Sequence, residues 1–547
     1  MIAVPKTDVT PKAADGPALS RRAFLRHGTL AVIGASALAG CGSTPARSRS
    51  SSSRSTASSA TTSTTSSAQA GGPPTAADWL ALEDALSGRV VLPSSRSYGD
   101  AKLVYDLRFH DAAPAAIAYC ASTTDVQRTI DFARRHAITP IPRCGGHSYA
   151  GYSTGSGLVI DVTPMNRVAV SASTARVEAG TRLIDLYSAV SAAGVLVPGG
   201  SCPTVGIAGL ALGGGVGVLG RKYGLTADTI EEVTVVTADA RVLRAGPSSE
   251  PDLYWACRGG GGGNFGVVTS FHLATQPIPP LALFTLEFPW AAAGDLLGAW
   301  ARWMTNAPEE LWSNCLLLSA GASGMIARST GVFVGETSSL ASLVNGLAGA
   351  VGATPTTNFV GAETYLRAMF VEAGCAEITL AQCRLSGPGS AGTLGRSAFA
   401  AKSAYLAKAP PPAGIAAITA AVENLHNELP ELGGGLAFDA MGGAINAVAP
   451  DATAFVHRDA LCGVQISGSW GSGTDTSTAA AVQDWLVQTA SAIAPYTNGE
   501  AYQNYIDPTL ADWQSAYYGA NLPRLESIRR RYDPDAVFNF AQAIPLS

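Results

Sequence analysis

The chain reads as an α+β protein of two lobes, and three observations lead there. A strand-helix-strand pattern occurs twice between Pro114 and Pro198, each time ending in a glycine-rich loop. From about Pro277 onward, strand-like runs and alanine-rich helices no longer alternate one for one, which favours an antiparallel sheet backed by helices. The roughly 470 residues that follow a polar leader are also too many for one small core.

The leader, residues 1–75, reads as an address and a tether and stands outside the fold argument. Ser20-Arg-Arg-Ala-Phe-Leu-Arg26 has the form of a twin-arginine export signal, and the apolar run Leu30–Ala39 follows it. That run is too short to span a bilayer, which takes about 20 residues. It ends in Leu38-Ala-Gly-Cys41, which resembles the lipobox of bacterial lipoproteins. On that reading residues 1–41 are the signal and the Cys41 thiol carries a diacylglycerol; an ordinary signal-peptidase site nearby is the alternative. Residues 42–75 are almost wholly Ser, Thr, Ala, Gly and Pro with three arginines. Such a segment cannot bury enough apolar surface to fold and is expected to be a flexible stalk. The expected location is extracytoplasmic, at the membrane only through Cys41.

The leader holds eight of the 36 Lys/Arg and two of the 41 Asp/Glu, so the remainder carries 28 against 39, a net of −11. A body that acidic has no basic footprint for nucleic acid. Its slightly positive mean hydropathy comes from alanine and glycine, not from a second long apolar run. Of nine cysteines, seven remain once Cys41 and Cys202 are set aside, an odd number that argues against a disulfide scaffold. Cys375 and Cys383 are close enough in sequence to bridge, without compelling that reading. No Cys-x-x-Cys or His-x-x-x-His spacing suggests a metal site.

Within the body, a helix is expected over Asp78–Leu86 with Trp79, Leu80, Leu82 and Leu86 on one side. Pro114–Cys120 reads as a strand. Asp125–His136 reads as a helix burying Val126, Ile130 and Ala133, capped by Thr123 or Thr124, and Thr139–Arg143 as a strand. A second unit repeats the arrangement: strand Arg176–Ala179, helix Leu183–Ala193 stopped by Gly194, then Val195–Pro198. In the later half, strands are expected at Leu281–Phe288, Leu316–Ala320 and Thr330–Gly335, with helices at Gly294–Met304 and Ala413–Leu425.

The two units deliver the segments that carry chemistry. The first ends in Arg143-Cys-Gly-Gly-His-Ser-Tyr149 and the second in Gly199-Gly-Ser-Cys-Pro-Thr-Val-Gly206, while Arg258-Gly-Gly-Gly-Gly-Gly-Asn-Phe-Gly266 follows as one more wall. Glycines there let backbone N–H groups approach a diphosphate closely. Taken singly, a Gly-Gly-His loop is most often a turn, a Ser-Cys-Pro cysteine a small buried hydrophobe, and a glycine run a flexible loop. Order, spacing and flanks give the combination its weight. Gly215-Val-Gly-Val-Leu-Gly220 matches G-x-G-x-x-G, but what precedes it is glycine- and proline-rich rather than a strand, so a nicotinamide site is not expected.

Together with Ala501-Tyr-Gln-Asn-Tyr-Ile-Asp-Pro508, Trp513-Gln-Ser-Ala-Tyr-Tyr-Gly519 and Arg531-Tyr-Asp-Pro-Asp-Ala-Val-Phe538, these segments resemble the berberine-bridge-enzyme-like flavoproteins. The resemblance runs from about Gly88 to Pro545. It implies a PCMH-type FAD-binding domain of the vanillyl-alcohol-oxidase-like superfamily over 76–276, a substrate domain over 277–495, and a C-terminal segment over 496–547 that returns to the FAD lobe. It implies FAD held bicovalently, with His147 on the 8α-methyl and Cys202 on C6 of the ring, raising the flavin potential. Arg143, Cys144, Gly145, Gly146, Ser148, Ser153, Thr204, Gly206, Gly209, Gly213 and Gly214 would line the phosphates and ribityl chain. Asn264, Gly266 and Val267 would add contacts near the adenine or the diphosphate. Cys144 departs from the usual small serine or glycine, which places a free thiol near the flavin.

The resemblance further implies oxidation of an alcohol on a sugar, glycoside or polycyclic natural product, a small-molecule substrate. Tyr505 of the Tyr-x-Asn-Tyr motif is the expected base, with Tyr502 and Tyr149 orienting it and Gln465 on the substrate side. A phenol with pKa near ~10 needs a neighbour to act so at neutral pH, and each tyrosine is otherwise aromatic wall. In related enzymes a valine at the position of Val205 leaves room for dioxygen where leucine blocks it, so the resemblance favours an oxidase over a dehydrogenase with another acceptor. Ala536 replaces the asparagine of many relatives, and Phe455-Val-His-Arg458 departs from Phe-Pro-His-Arg. A surface lipoprotein that binds a glycan and catalyses nothing is the reading of another class; His147 and Cys202 together speak against it.

Overall fold

The structure is a computed structural model that describes residues 72–171, 173–471 and 476–546. The export signal, Cys41 and residues 42–71 of the expected stalk lie outside the described residues.

The first helix, Ala76–Ala85, starts where Thr75 and Asp78 cap each other reciprocally. It buries Leu82, and Leu86 just beyond it, but Leu80 is 61% exposed, so Leu80 does not share the buried side expected for it. A four-stranded sheet follows, with β1 (Arg89–Val91), β2 (Ala116–Tyr119), β3 (Pro140–Arg143) and β4 (Leu158–Asp161) in the order β1-β2-β4-β3. β2, β4 and β3 run parallel. The crossover helix, Thr123–Arg135, buries Val126, Ile130 and Ala133 as its period requires. Its cap is Ser122, not Thr123 or Thr124: the Ser122 hydroxyl accepts from Asp125 N at 3.1 Å. Asp125, freed to face outward from the first turn, accepts from the backbone of Ser87, Gly88 and Ala121 and ties β1 to the helix.

The expected second copy of this unit is not one. β5 (Val168–Val170) and β6 (Thr174–Glu178) belong to a five-stranded antiparallel sheet with β8 (Ile230–Val236), β9 (Val242–Ala245) and β10 (Val267–Ala274), in the order β5-β6-β10-β8-β9. β7 (Val195–Leu196) pairs instead with β11 (Gln276–Pro277). Both edges of β6 are already filled by β5 and β10, and Pro198 follows β7 too soon for a longer ladder. The helix Leu183–Ala192 between them ends before Gly194, whose φ of +75° lets the chain reverse.

The second lobe is a seven-stranded antiparallel sheet: β12 (Leu281–Phe288), β13 (Leu311–Ala320), β14 (Met325–Val334), β15 (Thr357–Glu363), β16 (Ala398–Leu406), β17 (Gly433–Ala440) and β18 (Cys462–Trp470), ordered β15-β12-β14-β13-β17-β18-β16. The helices Ala293–Asn306, Thr337–Val351, Pro412–Glu428 and Thr476–Ile493 back the sheet. Leu340, Val344, Leu347, Ile418, Val422 and Leu425 are among the side chains they bury. β13 and β14 extend farther than their sequence patterns mark, because antiparallel pairing carries the ladder through Leu311–Ser319 against Met325–Phe333.

The other side of this sheet turns alternate side chains toward the first lobe. Register places Asp439, Asn314, Thr330 and Thr285 in one row across β17, β13, β14 and β12. Gln465, Ala437, Leu316 and Arg328 form the next row. Beyond residue 496 the chain returns to the first lobe, with the Tyr502 hydroxyl accepting from Gly215 N at 3.0 Å and Ile544 N donating to Asn264 Oδ1.

Cys375 and Cys383 form a disulfide, so the odd cysteine count did not exclude a single bridge. They and Phe370 pack against Ile184, pinning this segment of the second lobe to the first-lobe helix.

Candidate functional site

A cavity of about 370 Å³ opens between the two lobes and the returning tail. The histidine loop leaves the C-terminal end of β3, the position at which parallel α/β sheets present ligands. Arg143, the last residue of β3, is fixed by Asp161 at the end of β4, with Nε donating at 2.6 Å and Nη2 donating to Ala101 O.

His147 is held on two sides. Its ring stacks on Tyr105 with centroids 4.1 Å apart, and Nε2 lies 2.9 Å from Thr204 Oγ1. Burial, helped by the Arg182 charge, pushes its pKa down to about 3, so the imidazole is neutral at ordinary pH. Cys202 lines the same cavity two residues before Thr204, and burial pushes its thiol up to about 11.

The backbones of the His147 and Cys202 loops nearly touch. A Cβ at Gly206 would come within 1.9 Å of Cys144 Sγ and 2.6 Å of Gly145 N, and one at Gly145 within 2.5 Å of Gly206 N. These two glycines are demanded by the crossing of the loops rather than by a ligand. Gly209, by contrast, lines the cavity, and a Cβ there would meet no protein atom within 4 Å. Cys144 also lines it, yet its thiol donates to Ala179 O and burial raises its pKa.

Gly146, Ser148, Ser153, Val205, Asn264, Gly266 and Val267 are on the cavity wall as well. Three expected cofactor contacts are not. Thr204 stands behind His147. Gly213 is packed under Asn504 and Gln503, and Gly214, at φ +115°, under Phe455. Gly213 thus admits the returning tail, and Gly214 admits the ring of Phe455. The G-x-G-x-x-G segment is preceded by the helix Ile207–Leu212, not by a strand, so it lacks the dinucleotide geometry.

Among the described residues, Arg143 Nη1, Tyr152 Oη, Ser153 Oγ and Gln542 Oε1 are buried on this wall without a hydrogen-bond partner. Orphaned donors and an acceptor along a glycine-lined trough fit a long polar ligand with a diphosphate, and FAD meets that description. Asn264 contributes less than its position suggests, because its amide donates to Gly260 O and accepts from Ile544 N.

At the sheet end, Tyr149 and Tyr505 stack with centroids 5.3 Å apart and planes 8° from parallel. Gln465 Nε2 donates to the Tyr149 hydroxyl at 2.8 Å, which joins the loosely aligned glutamine to the aromatic pair. Tyr502 also lines the cavity, but its hydroxyl is taken up by Gly215 N, Val216 N and Asn504 Nδ2. It clips the tail to the first lobe.

Sequence reasoning missed two carboxylates. Asp439 on β17 and Glu372, the last residue of the helix Tyr365–Glu372, both line the cavity. Burial pushes Asp439 up to about 6; burial and the Asp439 charge push Glu372 up to about 7. A lone acid inside the apolar run Leu436-Ala-Phe-Asp-Ala440 was the available signal for the first. Glu372 carries no such signal. Burial, with the charge of Asp439 added, drives the Tyr505 phenol well above its ordinary value. No group of three or more metal-binding side chains occurs among the described residues.

Ala536 adopts φ +50°, a left-handed conformation that asparagine tolerates and alanine does not favour. An asparagine at this position would answer a backbone need. In Phe455-Val-His-Arg458, His457 pairs with Glu500 and Arg458 grips Asp228 with both terminal nitrogens, so this motif braces the fold.

Residues 114–246 match the family model described as FAD binding domain, and residues 501–545 match the one described as berberine and berberine like. An uncharacterized FAD-linked oxidoreductase of Bacillus subtilis (strain 168) is 30% identical over 473 residues, covering 84% of this chain and 97% of the relative. The solved structure of BBE-like 1 from Physcomitrella patens superposes with a TM-score of 0.77 at 32% identity, covering 86% of this chain and 99% of that one. A chitooligosaccharide oxidase shares the fold at a TM-score of 0.74 and 24% identity, over 86% of this chain and 99% of its own.

Proposed function

The chain belongs to the berberine-bridge-enzyme-like FAD-linked oxidoreductases, and from that premise we propose that it oxidises an alcohol carbon of a sugar, glycoside or polycyclic natural product, with dioxygen as the acceptor and FAD attached through both His147 and Cys202. The observation that carries the reading is one cavity lined by His147, Cys202, Val205, Tyr149, Tyr505, Gln465 and Asp439. A binding module has no need of two such side chains and a half-buried acid without a hydrogen-bond partner in the same space.

FAD, when bound, supplies the hydride acceptor; binding, orientation and proton handling fall to the chain. Neutral His147, with Nε2 against Thr204, offers Nδ1 for its bond to the cofactor. Arg143 Nη1, Ser153 and the trough around Gly209 hold the polar length of the molecule. The stacked Tyr149 and Tyr505 rings form a wall on which a substrate ring rests.

The proton of the substrate hydroxyl goes to Asp439. Tyr505, the base the motif suggests, is buried beside that carboxylate, and losing its proton would place two negative charges together. Asp439 is ionised above about pH 6, and no described group hydrogen-bonds its carboxylate. Tyr505 and Gln465-bound Tyr149 then serve to orient the substrate. A base with a pKa close to the working pH meets the requirement for general-base catalysis.

Val205 on the cavity wall supports dioxygen as acceptor, and a dehydrogenase with another acceptor is the second reading. The twin-arginine motif and the lipobox support export of the folded enzyme and a lipid on Cys41. Exchanging Cys41 for alanine should then move the mature enzyme from the membrane fraction to the soluble one with its activity intact. The function is tested by screening oligosaccharides, glycosides and hydroxylated polycyclic compounds for hydrogen peroxide release. Turnover with an artificial acceptor but no peroxide would favour the dehydrogenase, and flavin that no hydroxylated compound reduces would refute alcohol oxidation.

A further inference from the structure

The two attachment side chains, His147 and Cys202, sit 55 residues apart in sequence, and something must set their relative position before any bond to a cofactor forms. Three contacts do so. Arg182 Nη1 donates to Cys144 O on the histidine loop and to Thr204 O on the cysteine loop, both at 3.2 Å. Thr204 Oγ1 meets His147 Nε2 at 2.9 Å. Around Arg182 the backbone is knitted to the cysteine loop through Leu183 N to Val205 O, Ile184 N to Pro203 O and Ile207 N to Thr181 O. The guanidinium thus reaches out from a rigid strut, and the space at Gly145 is shaped to receive it: a Cβ there would lie 2.9 Å from Arg182 Nη1.

We propose that Arg182 and Thr204 are positioning residues for cofactor attachment, with Arg182 fixing the register of the two loops and Thr204 selecting the reactive form of His147. This inference rests on the bicovalent reading above. As acceptor from Nε2–H, Thr204 Oγ1 keeps the imidazole proton on Nε2 and leaves the Nδ1 lone pair free to attack. Tyr105, stacked on the ring, holds that nitrogen's direction. Each attachment removes one hydrogen from the flavin carbon and one proton from His147 Nε2, once Nδ1 has bonded, or from the Cys202 sulfur. The two electrons of each attachment would pass through the ring to one dioxygen, which becomes hydrogen peroxide.

The roles differ, so the variants should differ. Thr204→Val keeps the shape but removes the acceptor, so attachment at His147 should slow about tenfold, the size of one orienting hydrogen bond, while attachment at Cys202 persists. Thr204→Ser restores a hydroxyl and should restore attachment. Arg182→Met frees both loops, and singly attached protein should accumulate with either residue bearing the flavin.

The experiment is peptide mass spectrometry of the full-length proteins, sampled through an expression time course, reading the fraction of His147 and Cys202 peptides that carry flavin. Total flavin content and melting temperature, measured alongside, separate lost attachment from lost folding. Full double attachment in Thr204→Val and Arg182→Met at the wild-type rate would overturn the proposal. So would equal losses in Thr204→Ser and Thr204→Val. Wild-type protein with no covalent flavin would instead refute the attachment reading beneath it.

Discussion

Replacing Asp439 with asparagine keeps the shape of the side chain and removes its capacity to take a proton. Asp439 lines the cavity with no hydrogen-bond partner among the described residues, so the exchange breaks no structural contact there. Loss of a general base typically lowers the chemical step by about 10²–10⁴. The pH profile supplies a second magnitude. With burial holding the carboxyl at about 6, it is ionised above that pH and protonated below it. The wild-type rate should therefore rise about tenfold between pH 5 and pH 7, and this limb should vanish in Asp439→Asn. Anaerobic stopped-flow reduction of the flavin by a substrate found in the screen measures both. Tyr505→Phe keeps the stacked wall against Tyr149 and should lose no more than about tenfold. An Asp439→Asn enzyme reduced within about threefold of wild type, or a Tyr505→Phe enzyme that alone loses about 10² or more, would refute the assignment and return the base to the tyrosine.

Asp439 and Glu372 both have carboxyl pKa values raised by folding, so their contribution to stability is full below the ordinary carboxylate range near ~4 and is lost as pH rises from there through about 6 and about 7. The melting temperature should fall across that window, and the double exchange Asp439→Asn with Glu372→Gln should flatten the fall; an unchanged slope would show that other groups set it. Ala536→Asn should relieve the left-handed strain at φ +50° and raise stability by about 0.5–1 kcal/mol, read by thermal or denaturant unfolding; a loss of stability would contradict the backbone account. Val205→Leu narrows the cavity wall and should slow reoxidation by dioxygen by about tenfold or more while leaving reduction by substrate near wild type; equal reoxidation rates would remove Val205 as the gate.

Much of the fold is legible because its signals are local. The helix Thr123–Arg135 follows from its apolar period, β12 appears over the very residues its pattern marks, and the His147 loop lies where β3 ends. The failures come from partners distant in sequence. Nothing in Val195–Pro198 reveals that β7 pairs with β11 rather than with β6, and nothing in Gly213-Gly214 reveals Gln503, Asn504 and Phe455 lying against them. In the site, His147 and Cys202 were found through their flanks, because close loop crossing leaves glycine signatures. Asp439 and Glu372 went unnoticed because their importance comes from a cavity that only the assembled sheet, helix and tail enclose. Tyr502 and Tyr505, three residues apart in one motif, take different roles for the same reason: one hydroxyl clips Gly215 and Val216, while the other ring faces Tyr149.

The central claim is that one FAD is bonded to this chain at two places. Purified full-length protein, precipitated in acid, digested and analysed by mass spectrometry, tests it directly. The account predicts a yellow precipitate and a single flavin-bearing species in which the His147 peptide and the Cys202 peptide are joined through the same ring. Free FAD in the supernatant, with both peptides recovered unmodified, would contradict it.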